Sequence, residues 1–319
     1  MIGLMRANLS RMLHFKAFWV CMIICPALDV LSLILELLGN VPFRRTQVPL
    51  EPNLFGDTPD IVLLLAVFAG LFFGTEYSDG GLRNKLIVGH SRAAVCLSDL
   101  LTCITAGLLF FAVQFSTDLA LGLAREFRQN VSTEELALRV LICIFAILAL
   151  SAVFTLIGTL VSSKASSVTA AICLSLVLVL GSSLILNNLM QPEYLAPMTI
   201  AYPDEIDENG EPRVETVTEK NPNYVDGTLR TVYETLNDLL PSSQLLRMAT
   251  NTQKVITPEG DSVPKGIYFG ISAAGTEETE PAAADSFAEN AAPMIGYSLG
   301  ILLLTTTGGI LSFRKKNIR

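Results

Sequence analysis

Six stretches of this chain are apolar for so long that only a bilayer or a very large core could receive them. They cover residues 17–38, 60–75, 93–123, 136–161, 166–189 and 292–313, the second being the shortest. A hydrocarbon core about 30 Å thick takes about 20 helical residues, and it offers backbone groups no water to bond, so each stretch is expected to be a helix. Of the 319 residues, 51% are hydrophobic and only 16% charged, with a mean hydropathy of +0.50. Soluble domains rarely reach this balance. The expected fold class is an all-α polytopic membrane protein with six transmembrane helices, an N-terminal interfacial helix and an extracytoplasmic segment between helices five and six.

Four regions follow. Residues 1–16 place Met5, Leu9, Met12 and Leu13 on one helical stripe, with Arg6, Arg11, His14 and Lys16 mostly off it. That pattern suits a helix lying at the cytoplasmic membrane surface. The next stretch is too long for a signal-peptide core and lacks a small-x-small cleavage site, so it is read as an uncleaved first span. Residues 17–189 then hold the first five spans, the fourth and fifth joined only by Ser162, Ser163, Lys164 and Ala165, hence a tight hairpin. Residues 190–290 are polar and acidic. DEIDENGEP and GTEETEPAAADS read as solvated loops, whereas Leu229, Val232, Tyr233, Leu236, Leu239 and Leu240 recur at helical spacing until Pro241, with a second short helix in SSQLLRMA. Residues 291–319 give the sixth span and a basic tail.

Charge sets the orientation. The termini with 76–92 and 162–166 total 44 residues and hold eleven Lys or Arg against two acids. Residues 40–59, 125–139 and 190–290 total 136 and hold eleven against 23 acids. Basic residues concentrate on the cytoplasmic side. Both termini are therefore expected in the cytoplasm of a multi-pass cell-membrane protein, and the acidic segment outside it.

Polar groups inside the spans are costly unless paired or facing water. Asp29 falls near mid-depth of the first span and is expected to face the bundle interior or a translocation cavity; Glu36 can reach the outer interface. Gly70 with Gly74, and Gly296 with Gly300, form GxxxG pairs that allow close helix packing. All six cysteines lie in apolar stretches and read as packing residues. Cys21 and Cys25 share a face with no histidine to join them, so no metal site is expected.

The seventeen residues Glu76–Arg92, EYSDGGLRNKLIVGHSR, differ from their surroundings. Gly80 and Gly81 precede a short helical pattern with Leu82 and Leu86 one turn apart. Gly89 can supply a left-handed residue to end it, and Ser91 can cap the next span. This is a short cytoplasmic helix suited to press on another protein.

Several chemistries are excluded. The chain has no GxxxxGK[ST] phosphate loop, so it does not bind ATP in that manner. Its only histidines, His14 and His90, fall at the cytoplasmic interface, leaving no triad or histidine metal site in the membrane; an enzyme is not expected. No basic patch interleaved with aromatics marks nucleic-acid binding.

The layout, with GTEYSDGGLRNKLIVGHSR between spans two and three and NPNYVDGTLRTVYETLNDLLPSSQ outside, resembles the permease subunits of type-2 (ABC-2) ABC exporters, and a Firmicute-type branch of them in particular. The resemblance implies a transmembrane subunit that forms the translocation pathway by alternating access. It implies pairing with a second copy or a similar permease, in a homo- or heterodimer, and with cytosolic ATPases that carry the ATP and magnesium; no cofactor is expected on this chain. It implies that residues 80–88 within 76–92 are a coupling helix in a groove of the ATPase, formed by Gly80, Gly81, Leu82, Arg83, Asn84, Lys85 and Leu86 and bracketed by Glu76 and Arg92, with residues 4–16 as the connecting helix. The alternative is a membrane-anchored sensor or immunity protein that binds an outer ligand without transport. Lipids, peptides, drugs and ions fit the composition equally as substrates.

Overall fold

The chain turns through 62° at Phe15, between helix α1 (Ile2–His14) and helix α2 (Lys16–Leu38). The indole N–H of Trp19 closes the elbow by donating to the Leu13 carbonyl at 2.7 Å. Inside the bend, Phe15 meets the rings of Phe68 and Phe72, and Phe18 stacks on Phe110. Aromatic contacts thus fix the angle at which the surface helix leaves the first long one.

In the computed structural model, residues 2–38, 54–124, 132–161, 163–194, 198–206, 212–217, 219–248, 254–256, 262–264 and 285–315 are described. Beyond α1 and α2 the helices are α3 (Asp60–Ser78), α4 (Gly81–Ile87), α5 (Arg92–Ala124), α6 (Thr133–Leu160), α7 (Lys164–Leu189), α8 (Gly227–Leu239), α9 (Pro241–Met248) and α10 (Asp285–Lys315). Five of them, α3, α5, α6, α7 and α10, are long and apolar enough to cross a membrane, and the bent pair α1–α2 makes a sixth if counted as one span. The molecule is therefore a helical, multi-pass membrane protein.

Helices α3 and α6 occupy the middle of the bundle, where Ile61, Leu65, Phe68, Phe72, Ile142, Ile147, Leu150 and Phe154 are buried. Helices α2 and α5 pack on one side; α10 lies along α6, and α7 lies along α3. The expected hairpin of spans four and five is corrected in this respect: only three residues of sequence separate α6 from α7, but α7 packs chiefly on α3 rather than on α6. The glycines explain why. A Cβ at Gly70 would stand 2.8 Å from the Val168 Cα, and one at Gly74 would stand 2.9 Å from the Lys164 Cα. Only hydrogen at these positions lets the two backbones meet.

Two short antiparallel hairpins, β1 (Met198–Ile206) with β2 (Pro212–Val217) and β3 (Lys254–Ile256) with β4 (Ser262–Pro264), lie in the segment read from sequence as loops apart from its helices. Pro203 and two acids, Asp204 and Glu205, in β1 hide any alternation of apolar residues. Pro241 opens α9 as well as ending α8, since its missing N–H falls where a helix has no use for one. Glu36's side chain, Arg44, Arg45, Arg125, Arg128 and the tail beyond Lys315 lie outside the described residues.

Candidate functional site

Helix α4 is set apart by its two ends. Gly80 (φ 70°) and Gly89 (φ 96°) both take the left-handed conformation that other residues adopt only at a cost. Between them Leu82 buries against Leu4, Val95 and Phe313, with Tyr77 and Leu86 partly covering the same cluster. Ser91 then caps α5 by accepting the Ala94 N–H at 3.2 Å. The opposite side of α4 turns outward: Arg83 and Asn84 are exposed, and Ile87 and Val88 are 72% and 76% exposed. Apolar side chains so exposed at the end of a seven-residue helix favour contact with another surface.

Below α4 lies a buried ionic network. Glu76, 3% exposed, forms ion pairs with Arg11 at 2.7 Å and with Lys85. Lys85 also lies 3.2 Å from Asp99. The Asn8 amide donates to Asp99 at 2.8 Å and to Ser98 at 2.9 Å, while the Arg11 guanidinium covers the Phe72 ring at 3.8 Å. Two carboxylates therefore face two cations, which offsets the cost of withdrawing them from water. The Tyr77 hydroxyl donates to the Thr159 carbonyl at 3.0 Å, and Arg92 donates to the carbonyls of Phe313 (2.9 Å) and Arg314 (3.3 Å). Helix α4 is thus joined through side chains to α1, α3, α5 and the near ends of α6 and α10.

This arrangement differs from the bracket expected of Glu76 and Arg92. Glu76 holds α1 and α4, whereas Arg92 holds the end of α10. Asn8, Arg11, Asp99 and Phe313 belong to the same assembly and carry no motif that marks them. On α1 the buried stripe is Leu4, Asn8 and Met12, while Met5 and Leu13 are exposed. A polar asparagine in the packed face turns the stripe away from the purely apolar one.

Helix packing also departs from the motifs. Gly296 and Gly300 face open space in the single chain, while Gly158, outside any GxxxG pair named above, takes the Phe73 side chain so closely that a Cβ would stand 2.6 Å from its ring. An apolar groove of about 430 Å³ runs between α2 and α3, lined by Val20, Ile24, Leu28, Leu63 and Val67 with Asp60 at one end. Asp29 is not on it; the side chain is buried, 3% exposed, and accepts the Gln114 amide at 2.6 Å. One carboxylate oxygen from each of Asp29, Asp57 and Asp118 lies within 4.8 Å of the others.

At that same end of the bundle α9 is buried among α6, α7 and α10. The Gln244 amide donates to the Asp238 carbonyl at 2.7 Å and the Met294 carbonyl at 2.9 Å, and its oxygen accepts the Ser298 hydroxyl at 2.7 Å. Ser242 and Ser243 share Ser182 of α7, and Arg139 reaches the Met248 carbonyl at 3.1 Å. Helix α9 is therefore inserted between spans, whereas on α8 only Asn237 is buried. No family model, characterised protein or solved structure matches this chain.

Proposed function

We propose that this protein is the permease subunit of an ATP-driven exporter of the ABC-2 class, with α4 as the element through which a separate cytosolic ATPase acts. The observation that carries this reading is the construction of α4. It is a helix of fixed length between two left-handed glycines, and its inner side is tied to α1 and four spans. Its outer side presents Arg83, Asn84, Ile87 and Val88. A force applied there reaches the spans through buried contacts, not through a slack loop.

In this reading both termini and α4 are cytoplasmic, α8 and α9 lie outside, and a second copy or a related permease completes the pathway. The ATPase switches the spans only if it binds one of their arrangements more tightly than the other. A search of the neighbouring genes for a phosphate-loop ATPase, followed by its co-expression with the full chain and purification on a permease tag, tests the assignment. The ATPase is expected to co-purify and to be lost when Gly81–Gly89 is scrambled. Retention of the ATPase by the scrambled chain would reject α4 as the docking element.

A further inference from the structure

At the end of the bundle opposite α4, three carboxylates that are far apart in sequence converge. Asp29 comes from α2, Asp57 from the turn before α3, and Asp118 from the far end of α5, and their ligand atoms lie within 4.8 Å of one another. The charged groups acting on Asp118 are Asp29 and Asp57, both of the same sign. Three such groups in a buried place repel one another strongly unless something positive stands between them.

Gln114 supplies an independent indication. It lies one turn before Asp118 on α5 and is 1% exposed. Its nitrogen donates to Asp29 at 2.6 Å, which aims the amide into the cluster. Its oxygen is buried and has no hydrogen-bond partner among the described residues. A buried amide oxygen without a donor ordinarily costs about 1–3 kcal/mol, and a cation held among the carboxylates would meet it. One Asp118 oxygen is in the same condition.

From this we infer a binding site for one hard divalent cation of calcium size, with Asp29, Asp57, Asp118 and the Gln114 oxygen as ligands. The donors are all oxygens, which suits calcium or magnesium and not a soft metal. Calcium bonds at about 2.3–2.6 Å and so holds opposed oxygens up to about 5 Å apart, which covers the 4.8 Å within which these atoms lie, whereas magnesium, at about 2.0–2.1 Å, needs them within about 4.2 Å. The cation ties α2 and α5 to the turn before α3. That turn is in turn held to α9, because the Thr58 hydroxyl lies 3.2 Å from the Leu245 carbonyl. The site is therefore a latch between the first spans and the outer helices. It does not depend on the transport reading, although in the orientation proposed above this end faces the outside, where divalent cations are plentiful.

The test uses the full chain in detergent, stripped with chelator and titrated with CaCl₂ or MgCl₂. Equilibrium dialysis is expected to find a single calcium site per chain with a Kd of about 1 mM, the weak end of extracellular calcium modules. The unfolding temperature is expected to rise by about 5 °C at a hundredfold excess over Kd, and by clearly less with magnesium. Asp118→Asn and Gln114→Leu, each checked for a monodisperse elution profile, are expected to lose most of that rise. Three results would each overturn the site: no calcium bound by the wild-type chain, an equal rise with magnesium, or an undiminished rise in both variants. Because the dialysis arm uses unaltered protein, a variant that fails to fold does not protect the proposal.

Discussion

The Glu76 carboxylate and the Arg11 guanidinium, 65 residues apart in the chain and 2.7 Å apart in space, pin the surface helix to the end of the second span. Glu76 is almost wholly buried, while a third of the Arg11 side chain meets solvent, so their removal has unequal consequences. Glu76→Ala leaves Arg11 and Lys85 without their shared anion and is expected to cost about 3–5 kcal/mol. Arg11→Ala is expected to cost only about 1–2 kcal/mol, since solvent screens that end of the pair. Thermal unfolding of the single and double variants in detergent checks this. A double-variant loss equal to the sum of the single losses would deny the coupling.

Packing gives a sharper contrast. Gly158→Ala places a methyl 2.6 Å from the Phe73 ring and 2.9 Å from its Cβ, so the ring cannot simply swing its tip aside. The expected loss is about 1–3 kcal/mol, partly recovered in a Gly158→Ala, Phe73→Leu double variant. Gly296→Ala meets nothing within 4 Å among the described residues and is expected to stay within about 0.5 kcal/mol of the parent. Unfolding temperatures that rank the two alanine variants in the opposite order would refute this account of the bundle.

Much of this architecture is legible in the residues themselves. The apolar spans, the glycine-bounded α4, the Ser91 cap and the amphipathic α8 all follow from local chemistry, because period and capping act over a few residues. What stays hidden is long-range pairing between side chains of ordinary type. Asp29 looks like an isolated mid-span acid until Asp57 and Asp118 are brought beside it from two other elements. Asn8 looks like a surface residue of α1 until Asp99 receives it. A GxxxG pattern likewise reports only that a close approach is permitted. Gly70 and Gly74 meet α7 and Gly296 and Gly300 meet nothing in the single chain, and no feature of either pair separates them.

The outward side of α4 separates folding from docking. Ile87 and Val88 are largely exposed, so Ile87→Asp and Val88→Asp are expected to change stability by no more than about 0.5 kcal/mol. With α4 as the proposed docking element, each is expected to weaken retention of the proposed ATPase at least tenfold, a loss of about 1.4 kcal/mol of binding. Leu82→Asp has the reverse emphasis: it forces a charge among Leu4, Val95 and Phe313 and is expected to unfold this end of the bundle. The checks are pull-down titration for binding and unfolding temperature for stability. Full retention of the ATPase by both surface variants would assign its contact elsewhere.

Gln244 does for α8 and α9 what Glu76 does for α1. Its amide holds the Asp238 carbonyl at the end of α8 and the Met294 carbonyl of α10 and accepts the Ser298 hydroxyl one turn on, so one side chain joins three helices. Its oxygen and nitrogen are both used, and the site is fully buried. Gln244→Ala leaves Ser298 without its acceptor and opens a void between α9 and α10, for an expected loss of about 2–4 kcal/mol. Gln244→Glu keeps the acceptor for Ser298 but turns donor contacts with two carbonyls into repulsion, and is expected to be worse than Gln244→Leu at neutral pH. Because the bonds are local, the effect should be local: amide exchange in residues 241–248 quickens more than exchange in α3 or α6. Uniform quickening along the chain would show that the clamp holds the whole bundle and not the outer helices alone.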